Sequence, residues 1–221
     1  MRVLLVDGDL DYIKSYMAEI EKDYVVDVAY TASDGAYLSE VNDYDVIVID
    51  SALPDRDGRL LCKEVRDANI GSPILYLSEK EEPATRVQCL RDGANVCLSK
   101  HVSPAELSAQ IRALLLLRHR YASQNLTKVG LLEIDFEKQE VRFGNSQINL
   151  RKKEYSILEY LLLNRGRIVS KEELLDHIWE EGILVQSNLL EVHIRNLRTK
   201  IEKSPNTRTI QTFRGFGYKI A

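Results

Sequence analysis

Along the first half of the chain, short near-continuous apolar runs alternate with stretches whose apolar residues recur every three or four positions. The runs are Val3–Val6, Tyr24–Ala29, Val46–Ile49, Ile74–Leu77 and Val96–Leu98. Apolar on both faces, they predict strands buried inside a parallel sheet. Between the first two, Leu10, Ile13, Met17 and Ile20 step by three, four and three, which predicts a helix with one buried side. Leu107, Ile111 and Leu114 repeat that pattern before the first half ends near Leu117. Five strands alternating with five helices predict a doubly wound (βα)5 α/β domain, whose ligands gather at the C-terminal edge of the sheet.

From about residue 128 the pattern changes. Val129–Ile134, Glu140–Phe143 and Gln147–Leu150 predict a short antiparallel sheet with a turn at Gly144 and Asn145. Glu154–Leu163 reads as an amphipathic helix ending around Asn164 to Gly166, and Ser170 with Glu173 forms a capping box that opens a helix running to Trp179. Ser187 is placed to cap a helix over Asn188–Lys203, whose buried stripe is Leu190, Ile194, Leu197 and Ile201. Thr207–Thr212 and Gly217–Ile220 pair around Arg214 and Gly215 as a terminal hairpin, or wing. The second domain, residues 128–221, is therefore α+β and of winged-helix type. Residues 118–127 are polar and without apolar periodicity, a linker. On the preceding helix Leu116 falls opposite the Leu107, Ile111, Leu114 stripe, an outward leucine that points to a partner.

Charge divides the chain at the same place. The net charge of −4 combines 12 basic and 21 acidic residues up to Leu117 with 18 basic and 13 acidic residues beyond it. The last 34 residues hold 7 basic and 2 acidic side chains, so the excess of positive charge lies at that end. Such asymmetry fits a control domain tethered to a domain that binds a polyanion. No apolar run approaches the ~18 residues of a membrane span, and the four apolar residues between Arg2 and Asp7 are no secretory core. A cytoplasmic protein without a membrane partner is expected. Cys62, Cys89 and Cys97 lack metal-ligand spacing and read as reduced core residues.

The predicted sheet edge carries the candidate chemistry. Asp7 and Asp9 follow the first strand, Asp50 ends the third, Ser78 follows the fourth and Lys100 the fifth. Acids, a hydroxyl and a lysine on one rim suit phosphoryl transfer onto a carboxylate: Asp50 attacks, a hard cation neutralises the anions and Lys100 contacts the product. Residues 1–117 resemble the flavodoxin-like receiver domain of two-component response regulators. The resemblance is carried by Asp7, by Asp50 with Pro54 and Gly58 in D-S-A-L-P-D-R-D-G, by Ser78, Gly93-Ala94 and Lys100. It implies Asp50 as phospho-acceptor and a sensor histidine kinase as partner. The chain departs from the family at three points. Gly8 stands where a second acid, a Mg²⁺ ligand, is usual; Cys97 replaces the switch aromatic; His101 replaces the proline after the lysine. Asp7 and Asp50 are the metal ligands that remain, so Mg²⁺ binding is weakened and no cofactor is required. Asp7-Gly8-Asp9 also resembles the D-x-D of haloacid-dehalogenase-type phosphatases, but Asp11 stands where those have Thr or Val.

On the helix Asn188–Lys203 the face opposite the leucine stripe holds Asn188, Val192, Arg195, Asn196, Thr199 and Lys203. Cations and amides can contact phosphates or base edges, and a methyl-bearing side chain can meet thymine. Residues 128–221 resemble the winged-helix effector of the OmpR/PhoB family through L-R-K-K-E-Y, S-K-E-E-L-L-D-H-I-W, L-E-V-H-I-R-N-L-R and T-F-R-G-F-G-Y-K-I. The resemblance implies DNA contacts from Asn188, Val192, Arg195, Asn196 and Arg198 on the recognition helix and from Arg214 in the minor groove. It further implies double-stranded DNA, a second copy of the chain and RNA polymerase as partners, and no catalytic turnover. Of the family's dimer salt bridges, Arg86 and Glu106 match one pair; Val96, Gln110 and Leu117 replace charged residues of others. Apolar contact through Val96, Leu116 and Leu117 then suggests a dimer active without phosphorylation. The ordinary switch, in which a kinase acts at Asp50, stays open beside it, as does a protein-docking module with no role on DNA.

Overall fold

A computed structural model describes residues 1–80, 82–118, 126–136, 138–144, 146–179, 188–202 and 209–220. The chain forms two compact units, Met1–Arg118 and His119–Ala221.

In the first unit β1 (Arg2–Val6), α1 (Leu10–Ile20), β2 (Val25–Ala29), α2 (Ala32–Val41) and β3 (Val46–Asp50) are followed by α3 (Gly58–Asp67), β4 (Ile74–Ser78), α4 (Pro83–Arg91), β5 (Val96–Ser99) and α5 (Pro104–Arg118). The strands pair in parallel in the order β2-β1-β3-β4-β5. β1, β3 and β4 are buried along their whole length, which is why they read as unbroken apolar runs. α5 lays Leu107, Ile111 and Leu114 into the core as its periodicity requires, and Leu115 joins them. Leu116 does not face outward as its place on the helical wheel predicts. Leu116 is half-buried, and the outward residue is Leu117, 78 % exposed. A helical wheel shows which residues share a face, not how far neighbouring elements cover that face.

The second unit begins with a four-stranded antiparallel sheet, β6 (Leu126–Val129), β7 (Leu132–Asp135), β8 (Glu140–Phe143) and β9 (Ser146–Ile148). The single strand expected over Val129–Ile134 is instead a hairpin, because Gly130 turns the chain with φ +62°. Leu126 and Thr127, expected in the linker, pair with Asp135 and Ile134, and Arg118 belongs to α5. The rest of that linker lies outside the described residues, as do Asn145, Ser187, Lys203 and Thr207. α6 (Lys152–Leu163) starts two residues before the expected helix, because the carboxylate of Glu154 accepts from the Arg151 amide at 2.8 Å to close its first turn. α7 (Lys171–Ile178) is capped by Ser170, whose hydroxyl accepts from the Glu173 amide, but the Glu173 carboxylate bonds Tyr160 and Arg167, so the cap forms through the serine half of the expected box. α8 (Leu189–Ile201) buries Leu190, Ile194, Leu197 and Ile201, and β10 (Ile210–Phe213) pairs with β11 (Gly217–Ile220) as the wing. Backbone bonds between Val169 and Tyr218 moor that hairpin to the segment before α7.

Candidate functional site

Because β1 and β3 are neighbours in register, the residues that end them, Asp7 and Asp50, stand side by side at the C-terminal edge. Lys100, just after β5, reaches across to both. Its Nζ lies 2.8 Å from Asp50 Oδ2 and 3.3 Å from Asp7 Oδ1. Both carboxylates are 0 % exposed and the lysine is 3 % exposed. The same oxygens accept backbone amides, Asp7 Oδ1 from Asp9 and Asp50 Oδ2 from Ala52. The other two, Asp7 Oδ2 and Asp50 Oδ1, are buried without a protein partner. Burial pushes the Asp7 carboxyl up, since desolvation disfavours the anion. For Lys100 desolvation pulls downward, but the hydrogen bond and charge of Asp50, with those of Asp7, prevail and hold the ammonium above its ordinary range.

The sequence places five side chains on this rim; the structure brings three together. Asp9 is exposed and caps α1, accepting from the Asp11 and Tyr12 amides. Ser78 is turned onto its own loop, donating to the Lys80 carbonyl and accepting from its amide. Two neighbours were not legible beforehand. The Tyr12 ring lies 4.5 Å from the Lys100 ammonium, and the Pro54 ring covers Gly8: a Cβ on Gly8 would lie 2.6 Å from both Cδ and Cγ of Pro54.

Two unpartnered carboxylate oxygens are the feature that would invite a cation. A hard dication keeps several of its waters and needs an open octahedral shell. Here the shared face of the two acids is taken by the Lys100 ammonium, Gly8 supplies no oxygen, and neither carboxylate reaches solvent. These residues do not fit Mg²⁺.

In the second unit, α8 presents Asn188, Val192, Arg195 and Thr199 outward, with Asn196 half-buried at the margin. Arg214 is exposed at the tip of the wing. Arg198, expected beside them on DNA, is engaged within the protein. Its guanidinium donates to the Ile210 carbonyl at 3.2 and 2.7 Å and to Thr212 Oγ1 at 2.7 Å, tying α8 to β10. It lies on the side of α8 that meets the hairpin, a contact that helical spacing alone does not show. Glu191 on α8 and Glu202 just after it are also engaged: Glu191 pairs with Lys171, and Glu202 accepts from the Ile210 amide. Lys200 bonds the buried Glu154 carboxylate at 2.6 Å and holds α8 against α6.

The expected dimer residues lie on the edge strand β5 and the helices flanking it. Arg86 and Glu106 are exposed, Val96 and Gln110 half-buried. Val87 and Leu90 on α4 are exposed together with Leu117.

Comparison with known proteins matches residues 3–112 to the response regulator receiver domain and residues 145–220 to the C-terminal domain of transcriptional regulatory proteins. Among relatives, the response regulator ArlR of Staphylococcus haemolyticus is 32 % identical over 219 residues, covering 99 % of this chain and 98 % of that one. The transcriptional regulatory protein CusR of Escherichia coli is 30 % identical over 223 residues, covering 100 % and 97 %. The receiver domain of a Francisella response regulator superposes on 52 % of this chain and 95 % of its own, with a TM-score of 0.50 and 30 % identity. Fold and matches together define a two-component response regulator, a receiver joined to a DNA-binding transcription-regulatory domain. The chain belongs to the OmpR/PhoB family. No helix among the described residues is long and apolar enough to cross a membrane.

Proposed function

We propose that this regulator binds its DNA sites as a dimer that forms without phosphorylation and without Mg²⁺. The observation that carries the reading is the state of Asp50. A carboxylate that attacks a phosphorus atom must present an oxygen to the donor. In Asp50 one oxygen holds the Lys100 ammonium at 2.8 Å, and the other is buried. The dimer surface supports the same reading. An exposed ion pair such as one built on Arg86 and Glu106 contributes roughly 0.2–1 kcal/mol and weakens with salt. Covering the exposed parts of Val87, Leu90 and Leu117 from both copies contributes several times more, at ~25 cal/mol per Å² of apolar area. Apolar contact, available at all times, outweighs contact that a phosphate would have to organise.

Sedimentation velocity and DNA binding on the full chain test this. The unmodified protein and Asp50→Ala are expected to dimerise and bind alike, and Leu117→Glu to give monomers with weakened binding to two-half-site DNA. A protein that is monomeric until acetyl phosphate or beryllofluoride is added would overturn the reading and restore a kinase-driven switch at Asp50.

A further inference from the structure

All three cysteines of the chain lie in the first unit, and they gather in one place. Cys62 on α3 and Cys89 on α4 are fully buried in the same apolar cluster, and Cys97 on β5 packs against it, half-buried. Each is a free thiol. We propose that Cys89 and Cys97 form a peroxide-reactive pair: a hydroperoxide oxidises Cys97, and Cys89 converts the product to a disulfide that ties α4 to β5. Nothing in this chemistry depends on the state of Asp50.

A buried cysteine by itself acts as a small apolar side chain. Here two thiols face each other across a tight reversal of the chain. Cys89 sits in the last turn of α4 and Cys97 is the second residue of β5. Between them Gly93 turns the backbone with φ +107°, and the Ala94 amide donates to the Cys89 carbonyl at 3.1 Å. The Cys89 S–H then donates to the Cys97 sulfur. Exposure and charge divide the roles. Burial pushes the Cys89 thiol up to about 12, and the neighbouring Cys97 adds to that, so Cys89 keeps its proton and stays the donor. Burial raises Cys97 as well, but the bond from Cys89 and the charge of Arg86 draw it back down. Cys97 is therefore the thiol that ionises, and its sulfur is the one that a small peroxide can meet. Its thiolate attacks one peroxide oxygen and the O–O bond breaks, leaving a sulfenic acid; the departing oxygen takes up the proton that Cys97 released. The Cys89 sulfur next attacks the Cys97 sulfur. The S–O bond breaks, water leaves with the Cys89 proton, and the S–S bond forms. Two thiols lose two electrons, and the peroxide, reduced to an alcohol and water, gains them.

The test treats the reduced, folded full chain with excess hydrogen peroxide, then blocks remaining thiols with N-ethylmaleimide under denaturing conditions. Trypsin cuts after Arg86, Arg91 and Lys100, so Cys89 and Cys97 fall on separate peptides that only a disulfide can hold together. Mass spectrometry should show those two peptides joined, Cys62 alkylated and the link undone by dithiothreitol. The oxidised chain should melt above the reduced one, because the cross-link restricts the unfolded state. Cys62→Ser should form the same bond. Cys89→Ser, with no thiol to resolve the product, should accumulate sulfenic acid at Cys97, trapped by dimedone. Peroxide that leaves all three thiols reduced would overturn the pair, as would a link to Cys62, a link between two copies through Cys97, or Cys97 driven to sulfinic acid while Cys89 stays free. An oxidised chain that melts below the reduced one would equally overturn it, since the two thiols would then not be placed for the bond.

Discussion

Replacing Lys100 by methionine removes the one cation that serves two buried carboxylates, and the size of the effect follows from the site. At 2.8 and 3.3 Å and an effective dielectric of about 20, each attraction is roughly 5–6 kcal/mol before desolvation is counted. Most of that offsets the burial of three charges; what remains visible is the penalty of leaving buried anions unpaired, about 3–5 kcal/mol. Against a total stability of about 5–15 kcal/mol, this leaves the first unit marginal at pH 7. Asp50→Asn makes the useful contrast. It takes the cluster from two anions and one cation to one of each, keeps the shape, and should change stability by less than about 1 kcal/mol. Urea unfolding of the full chain resolves the two units, because Trp179 is the sole tryptophan and lies in the second; the far-ultraviolet transition not shared by its fluorescence belongs to the first. The deficit of Lys100→Met should also shrink as pH falls from 7 toward the ordinary carboxylate range. Buried carboxyls with raised pKa, as Asp7 already has, take up protons in the folded state before the unfolded chain does. Lys100→Met as stable as the parent at pH 7, or Asp50→Asn less stable than Lys100→Met, would refute the reasoning.

The DNA-binding unit yields further expectations. Arg198→Ala should lower both the melting temperature of the second unit and DNA affinity, since it loses charged hydrogen bonds of about 1.5–3 kcal/mol to the wing; unchanged melting would return Arg198 to the DNA. Arg195→Ala should leave melting unchanged, weaken specific and random DNA alike and reduce the slope of log affinity against log salt by about 1, whereas Asn196→Ala should relax preference at one base pair by about 1–3 kcal/mol. Equal losses on specific and random DNA for Asn196→Ala would remove it as a base reader. Arg214→Ala should keep the fold and abolish a preference for A·T-rich flanks, where the narrow groove attracts arginine; a parent that binds G·C flanks equally well would dismiss that role.

Much of this was legible in residue order, because it depends on local period. Buried runs and three-four spacing sufficed for five strands, the inner face of α5 and the leucine stripe of α8, and fixed offsets sufficed for the Ser170 cap and the placement of Asp7, Asp50 and Lys100 at strand ends. The one-residue reach of a turn was harder: Gly130 divides what looks like a single strand, and only pairing of Leu126 with Asp135 reveals it. The contacts that set the state of each site residue lie between residues far apart in the chain. That Gly8 stands in place of an acid can be read directly; that the ring of Pro54, 46 positions on, lies against it cannot. Arg198 looks like one more cation on a DNA-facing helix until β10 is folded beside it and takes its guanidinium. Likewise the rim residues Asp9 and Ser78 sit in the right order but turn to nearer partners, a helix end and a loop carbonyl. Period determines which face of an element is buried, while the identity of the atom met across a contact is set by how elements pack, and that decided whether each side chain here is free to act.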